Sequence, residues 1–219
     1  MSVKLALSQG LDELEEIHIE QAVGKKAPRY DRSGDMHYDI KSALIKSMRG
    51  SDPDAACHYL ARMLEAGEEP RVILRHLVIF ASEDIGNADP RALQVAVSAL
   101  QAFDFIGMPE GYLPLTQAVT YLACAPKSNA VIKAYKSAAE DLKSNSELPV
   151  PLHLRNAPTQ FMKQLGYGQH YQYPHDFPGN HVKETYLPQK IIDKKYYYPT
   201  QNGYEKFISE RLNWLKSKD

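Results

Sequence analysis

Between Asp35 and about Leu165, apolar residues recur at spacings of three and four, and glycines and Asp-Pro pairs cut the pattern into segments. The first predicted helix starts at Asp35, runs through His37, Ile40, Leu44 and Met48, and stops at Gly50. Ser51-Asp52-Pro53-Asp54 opens the next, with Asp52 as cap and Pro53 at the first helical position, where a missing N–H costs nothing. Ala56, Tyr59, Leu60, Met63 and Leu64 form its inward stripe, and Gly67 ends it. Pro70 begins a third helix with Ile73, Leu77, Phe80 and Ala81 inward, ending near Gly86. Asn87-Ala88-Asp89-Pro90 repeats the Asp-Pro start, and Leu93, Val97, Leu100 and Phe103 are the expected core side of the helix that follows. Further helices are predicted over 114–124, 128–142 and, shorter, between Pro158 and Leu165. No segment of this stretch alternates apolar and polar residues with period two, so the expected fold class is all-α.

The flanks read differently. Residues before Arg29 hold one amphipathic segment around Leu11, Leu14, Ile19 and Val23, then the basic Gly24-Lys25-Lys26. After Gly166, Tyr167, Tyr171, Tyr173, Tyr186, Tyr196, Tyr197, Tyr198 and Tyr204 are eight of the chain's 14 tyrosines, and Pro174, Pro178, Pro188 and Pro199 interrupt regular structure. This irregular segment is expected to be ordered by laying aromatic faces on the helical core. It closes with a helix whose apolar face is Tyr204, Phe207, Ile208, Leu212 and Leu215.

Composition narrows the function classes. Lys plus Arg is 26 and Asp plus Glu 27, a formal net charge of -1, so nucleic-acid binding would need a local basic patch. The longest charge-free stretch, Gly111 to Pro126, is too short to cross a bilayer, and no secretory signal pattern stands at the start. Cys57 and Cys124 are too few for a disulfide framework and read as packing thiols in a reducing compartment. A soluble, cytoplasmic protein is expected.

Candidate chemistry is sparse. Gly24-Lys25-Lys26 lacks the upstream glycine and the hydroxyl of a phosphate-binding loop. His170, His175 and His181 match no metal-ligand spacing. Ser82-Glu83-Asp84 places neighbouring acids about 100° apart on a helix, which fits ion pairing or an interface better than acid–base catalysis. His58 and Arg62 read as a solvated helix edge. No catalytic, cofactor-binding or metal-binding residue is therefore assigned. Lys183, Lys190, Lys194 and Lys195, interleaved with the late tyrosines, are candidate contacts to single-stranded DNA, where phosphate pairing and base stacking combine. The alternative is a solvated tail whose lysines are balanced by Asp176, Glu184 and Asp193.

Longer ordered motifs carry a resemblance. Tyr30-Asp31-Arg32-Ser33-Gly34-Asp35-Met36-His37-Tyr38-Asp39 is followed by Lys46-Ser47-Met48-Arg49-Gly50-Ser51-Asp52-Pro53-Asp54-Ala55-Ala56 and by Leu60-Ala61-Arg62-Met63-Leu64-Glu65-Ala66-Gly67-Glu68. Then come Ala81-Ser82-Glu83-Asp84-Ile85-Gly86, Tyr121-Leu122-Ala123, Ala125-Pro126-Lys127-Ser128-Asn129, Val150-Pro151-Leu152-His153-Leu154-Arg155-Asn156 and Tyr173-Pro174-His175-Asp176. From about Ile19 to at least Pro199 this series resembles the C-terminal half of the replication-associated recombination protein A family (RarA, also MgsA), whose eukaryotic branch is the Werner helicase-interacting ATPase.

The resemblance implies a clamp-loader-like AAA+ ATPase of the replication fork, active in recombination and repair and stimulated by DNA ends and single-stranded gaps. Its helical C-terminal region is related to clamp-loader collars and holds a homo-tetramer. In that family ATP, magnesium and the P-loop belong to a domain upstream, so this chain is expected to bind no cofactor and to hydrolyse nothing itself. The implied organisation is a lid and linker remnant over residues 1–30, a helical oligomerisation domain over 31–165 and the Tyr/Pro-rich segment over 166–219. Residues before Ile19 lack the family's Gly-Asp-x-Arg lid pattern. Implied partners are DNA and single-strand-binding protein, with no membrane, in a nucleoid-associated setting.

The helix after Asp89 is also apolar outside its expected core stripe. Val95, Ala99 and Ala102, with Val119 and Tyr121 of the next helix, are therefore the candidate oligomer interface.

Overall fold

The computed structural model describes residues 35–217 except 146. The described residues contain eight α-helices and no strand, which gives an all-helical fold. The helices are α1 (Asp35–Arg49), α2 (Pro53–Glu65), α3 (Pro70–Phe80), α4 (Arg91–Ile106), α5 (Tyr112–Cys124), α6 (Ala130–Ser144), α7 (Gln160–Gln164) and α8 (Glu205–Lys216). The expected amphipathic segment around Leu11 to Val23 lies outside the described residues.

Two compact units divide the described chain: residues 35–77 with 98–124, and residues 78–97 with 125–217. Residues 125–165 group with the Tyr/Pro-rich segment in the second unit.

In the first unit α1, α2 and α5 pack on one another. Ile40, Leu44 and Met48 of α1, Ala56, Leu60 and Met63 of α2, and Leu115, Ala118 and Leu122 of α5 are buried, each set at helical spacing. The predicted cap forms: Asp52 Oδ1 accepts the Ala55 amide at 2.9 Å, with Pro53 at the helix start. Tyr59 and Leu64, expected in the core, are only half-buried.

The second unit is built around a turn. Residues Ala81–Ile85 continue α3 as a π-helical turn, followed by a 3₁₀ turn over Gly86–Ala88. Helices α6 and α8 both pack on that 3₁₀ turn. Asp89 Oδ1 accepts the Arg91 amide at 3.0 Å and starts α4.

Helix α4 corrects the expected register. Ala92, Ala96, Ala99 and Phe103 are its buried positions, whereas Leu93, expected on the core side with Val97, Leu100 and Phe103, is 44% exposed. Stripes one residue apart differ by about 100° of rotation, so the buried face is the one that carries Ala92, Ala96 and Ala99. In α8 the expected apolar face is likewise incomplete: Tyr204 and Phe207 are exposed, and Ile208, Leu212 and Leu215 are half-buried.

Candidate functional site

The segment before α8 is held by one buried carboxylate. Glu205, 0% exposed at the first position of α8, accepts hydrogen bonds at Oε2 from Ser128 Oγ, Thr200 Oγ1 and the Thr200 amide, each 2.7 Å. Tyr197 Oη donates to Oε1 at 3.0 Å and accepts from Asn87 Nδ2 at 3.0 Å. Burial pushes the Glu205 carboxyl upward, but the bonds from Thr200, Ser128 and Tyr197 outweigh it and hold the group below the ordinary glutamate range. Tyr197 is pushed up by burial, with the Glu205 bond adding to it.

Beside this carboxylate the backbone comes into close contact with the 3₁₀ turn. The Tyr204 amide donates to the Ala88 carbonyl at 2.7 Å, and Asn202 Nδ2 donates to the Lys127 carbonyl at 2.9 Å. Gly203 has φ 53°, and a Cβ there would overlap the Ala88 carbonyl oxygen and the Pro126 ring. Only glycine fits. Polar bonds thus anchor the Tyr/Pro-rich segment here; of its tyrosines, Tyr167, Tyr196 and Tyr197 are half-buried, whereas Tyr171, Tyr173, Tyr186, Tyr198 and Tyr204 are exposed.

Residues 192–199 and α8 enclose a groove of about 530 Å³, lined among others by Lys194, Lys195, Lys216, Tyr196, Tyr198 and Asn213. Lys195 Nζ lies 4.4 Å from the centre of the Tyr198 ring. Lys194 is already engaged, with Nζ 3.0 Å from Asp141 Oδ1, while Tyr196 Oη donates to Asp141 Oδ2 at 2.9 Å. The Asp141 carboxyl is held low by its bonds from Lys194 and Tyr196, and Lys194 is held high by the same pairing. Of the four sequence candidates for DNA contact, Lys194 and Lys195 line this groove, whereas Lys183 and Lys190 are exposed outside its lining. Lys216, not among the candidates, completes it because α8 folds back beside residues 192–199.

The interface candidates fare differently. Val119 is 0% exposed and Ala99 6%, so both are core residues with no surface to offer a second subunit. Val95, Ala102 and Tyr121 are half-buried. The open apolar surface of the first unit lies instead at the α4–α5 turn, in Phe105 (92% exposed), Ile106, Met108, Tyr112 and Leu113.

The remaining candidates carry little. His175 rests on the Tyr173 ring at 5.0 Å, and among the described residues no three His, Cys, Asp or Glu side chains are grouped to hold a metal ion. His58 and Arg62 are exposed, as a solvated edge requires, with Arg62 5.9 Å from the Tyr59 ring centre. Cys57 is half-buried and its thiol is pushed up, first by burial and then by Asp54. Cys124, read as a packing thiol, is exposed. No described helix is long and apolar enough to cross a membrane.

The described residues form an all-helical fold with a polar C-terminal junction, and sequence comparison defines the family. The family described as "MgsA AAA+ ATPase C terminal" matches residues 50–216, and "AAA C-terminal domain" matches residues 1–49. The chain belongs to the C-terminal region of the MgsA (RarA) AAA+ ATPase family. The second match extends the relationship to the N-terminal residues, ahead of the expected start near Ile19. The chain is 48% identical over 200 residues to replication-associated recombination protein A of Escherichia coli K12, covering 91% of this chain and 45% of that protein. It is 50% identical over 218 residues to an uncharacterized AAA domain-containing protein of Mycobacterium tuberculosis, covering 99% and 48%. Against "ATPase WRNIP1" of Dictyostelium discoideum the identity is 48% over 169 residues, covering 77% and 19%. The chain spans about half the length of the Escherichia coli and Mycobacterium tuberculosis relatives.

Proposed function

We propose that this chain is the assembly and scaffold region of a RarA-type AAA+ ATPase acting in DNA replication, recombination and repair at stalled forks. It joins subunits into a homo-tetramer, while ATP and magnesium are handled by an ATPase domain outside it. The observation that carries this reading is the apolar surface at the α4–α5 turn. Five large side chains there are left to solvent on a unit whose own core is well filled. The relatives' names support the replication and recombination setting. A cytoplasmic, nucleoid-associated location and contact with single-strand-binding protein belong to the same proposal. Sedimentation equilibrium of the chain should give a tetramer, and ATP turnover should stay at the buffer rate with or without DNA. A monomer at tens of micromolar sinks the assembly reading, and steady hydrolysis by the pure chain sinks the division of labour.

A second reading, single-stranded DNA binding, is favoured by the groove between residues 192–199 and α8. Lysine ammonium groups and exposed tyrosine faces stand together there, the combination that grips phosphates while stacking bases. Assembly and DNA binding are compatible, since a tetramer multiplies weak sites.

A further inference from the structure

The first unit carries a projecting side chain and an apolar groove on one continuous surface. Phe105, at the end of α4, is 92% exposed, and Ile106 beside it is also open. A groove of about 420 Å³ runs between α2 and α5, lined by Cys57, Leu60, Ala61, Leu64, Met108 and Tyr112 among others. Met108 and Tyr112 belong both to the exposed patch and to the groove wall. A rotation about a two-fold axis near them would therefore bring the projection of each copy to the groove of the other.

We propose that a second copy of this chain docks here, with Phe105 of each copy seated in the α2–α5 groove of its partner. The inference rests on the assembly reading and names its contact. The area is sufficient: with a full aromatic side chain at roughly 200 Å², the patch offers on the order of 500 Å² per copy. Two copies then bury roughly 1,000 Å², the size at which specific interfaces begin. The groove's volume of about 420 Å³ exceeds that of one aromatic side chain, and Leu60, Ala61, Leu64, Met108 and Pro109 give it largely apolar walls, as a buried aromatic anchor requires. Such a contact is isologous, so alone it makes a dimer; a tetramer of two-fold symmetry adds a second contact elsewhere.

The test uses the 219-residue chain. Phe105→Asp changes an exposed side chain, and Ala61→Arg obstructs the groove from an exposed position, so circular dichroism should show both folded. Each is expected to weaken self-association at least about tenfold by sedimentation, while Phe161→Asp, at an exposed position in the other unit, leaves it unchanged. In a Cys124→Ser background, Phe105→Cys should form a covalent dimer with diamide through native Cys57, and Cys57→Ser should abolish it. Unchanged association of both surface variants, or a covalent dimer that survives Cys57→Ser, overturns this contact and leaves the assembly reading standing. A wild-type chain that is monomeric at tens of micromolar overturns both.

Discussion

Glu205 gathers four hydrogen bonds from three residues of the second unit, and its surroundings set the sign of two effects. Glu205→Ala removes the common acceptor of Ser128, Thr200 and Tyr197 and leaves buried donors unpaired. A loss of about 3 kcal/mol is expected in urea unfolding. Because the folded carboxyl titrates below its ordinary value, its contribution is complete above the unfolded pKa, about 4.3, and is lost as pH falls through the folded pKa. The stability gap between wild type and Glu205→Ala should therefore narrow on acidification below about pH 4.3 and stay constant from pH 6 to 8. A gap that widens in acid reverses the sign and removes the argument. None of this was legible from sequence. Glu205 reads as an ordinary first-turn acid, and Ser128, 77 positions away, reads as a helix start. The partners meet only because Gly203 lets the backbone close on Ala88, a contact that no periodicity encodes.

Among the elements, α1, α2 and α3 were legible because most of their expected inward residues, such as Leu44, Met48, Leu60, Met63, Leu77 and Phe80, are buried, with Tyr59 and Leu64 as exceptions, and their ends carry Pro or Gly signals. Helix α4 was not, since Leu93 outranks Ala92 in hydrophobicity yet the alanine stripe is the buried one. That rotation changes what a charge at Ala99 does. Ala99→Glu places an unpaired carboxylate inside the chain, so the fold itself should lose several kcal/mol, seen as a lowered melting temperature. Loss of an oligomer with unchanged melting would instead return Ala99 to an interface. The same distinction separates two leucines of α2. Leu60 is 2% exposed, and Leu60→Ala should cost roughly 2–5 kcal/mol in denaturant unfolding. Leu64 is half-buried and open to the groove, so Leu64→Ala should cost only about 1 kcal/mol. Equal losses at the two positions would mean that the groove is closed in solution.

At the scale of the molecule, a net charge of -1 gives no general attraction to polyanions, so any DNA affinity must come from a local site and depend on named lysines. The four candidate lysines stand near tyrosines in sequence, and folding separates them by role. Lys194, Lys195 and Lys216 line the groove, Lys194 paired there with Asp141, and Lys183 and Lys190 lie outside its lining. Two lysines engaging two phosphates of a single strand predict a slope of roughly -1.4 in log affinity against log salt. Fluorescence anisotropy with a labelled oligothymidylate, titrated between low and moderate salt, measures it. Lys195→Glu and Lys216→Glu should each weaken binding at every salt concentration and flatten the slope, since each removes a phosphate contact. Tyr198→Ala should weaken binding by about 1–3 kcal/mol without changing the slope, because base stacking releases no counterions. Lys194→Ala should change little, its charge being already spent on Asp141. If Lys183→Glu and Lys190→Glu weaken binding as much as Lys195→Glu, the strand follows the tail at large and the groove is not its site.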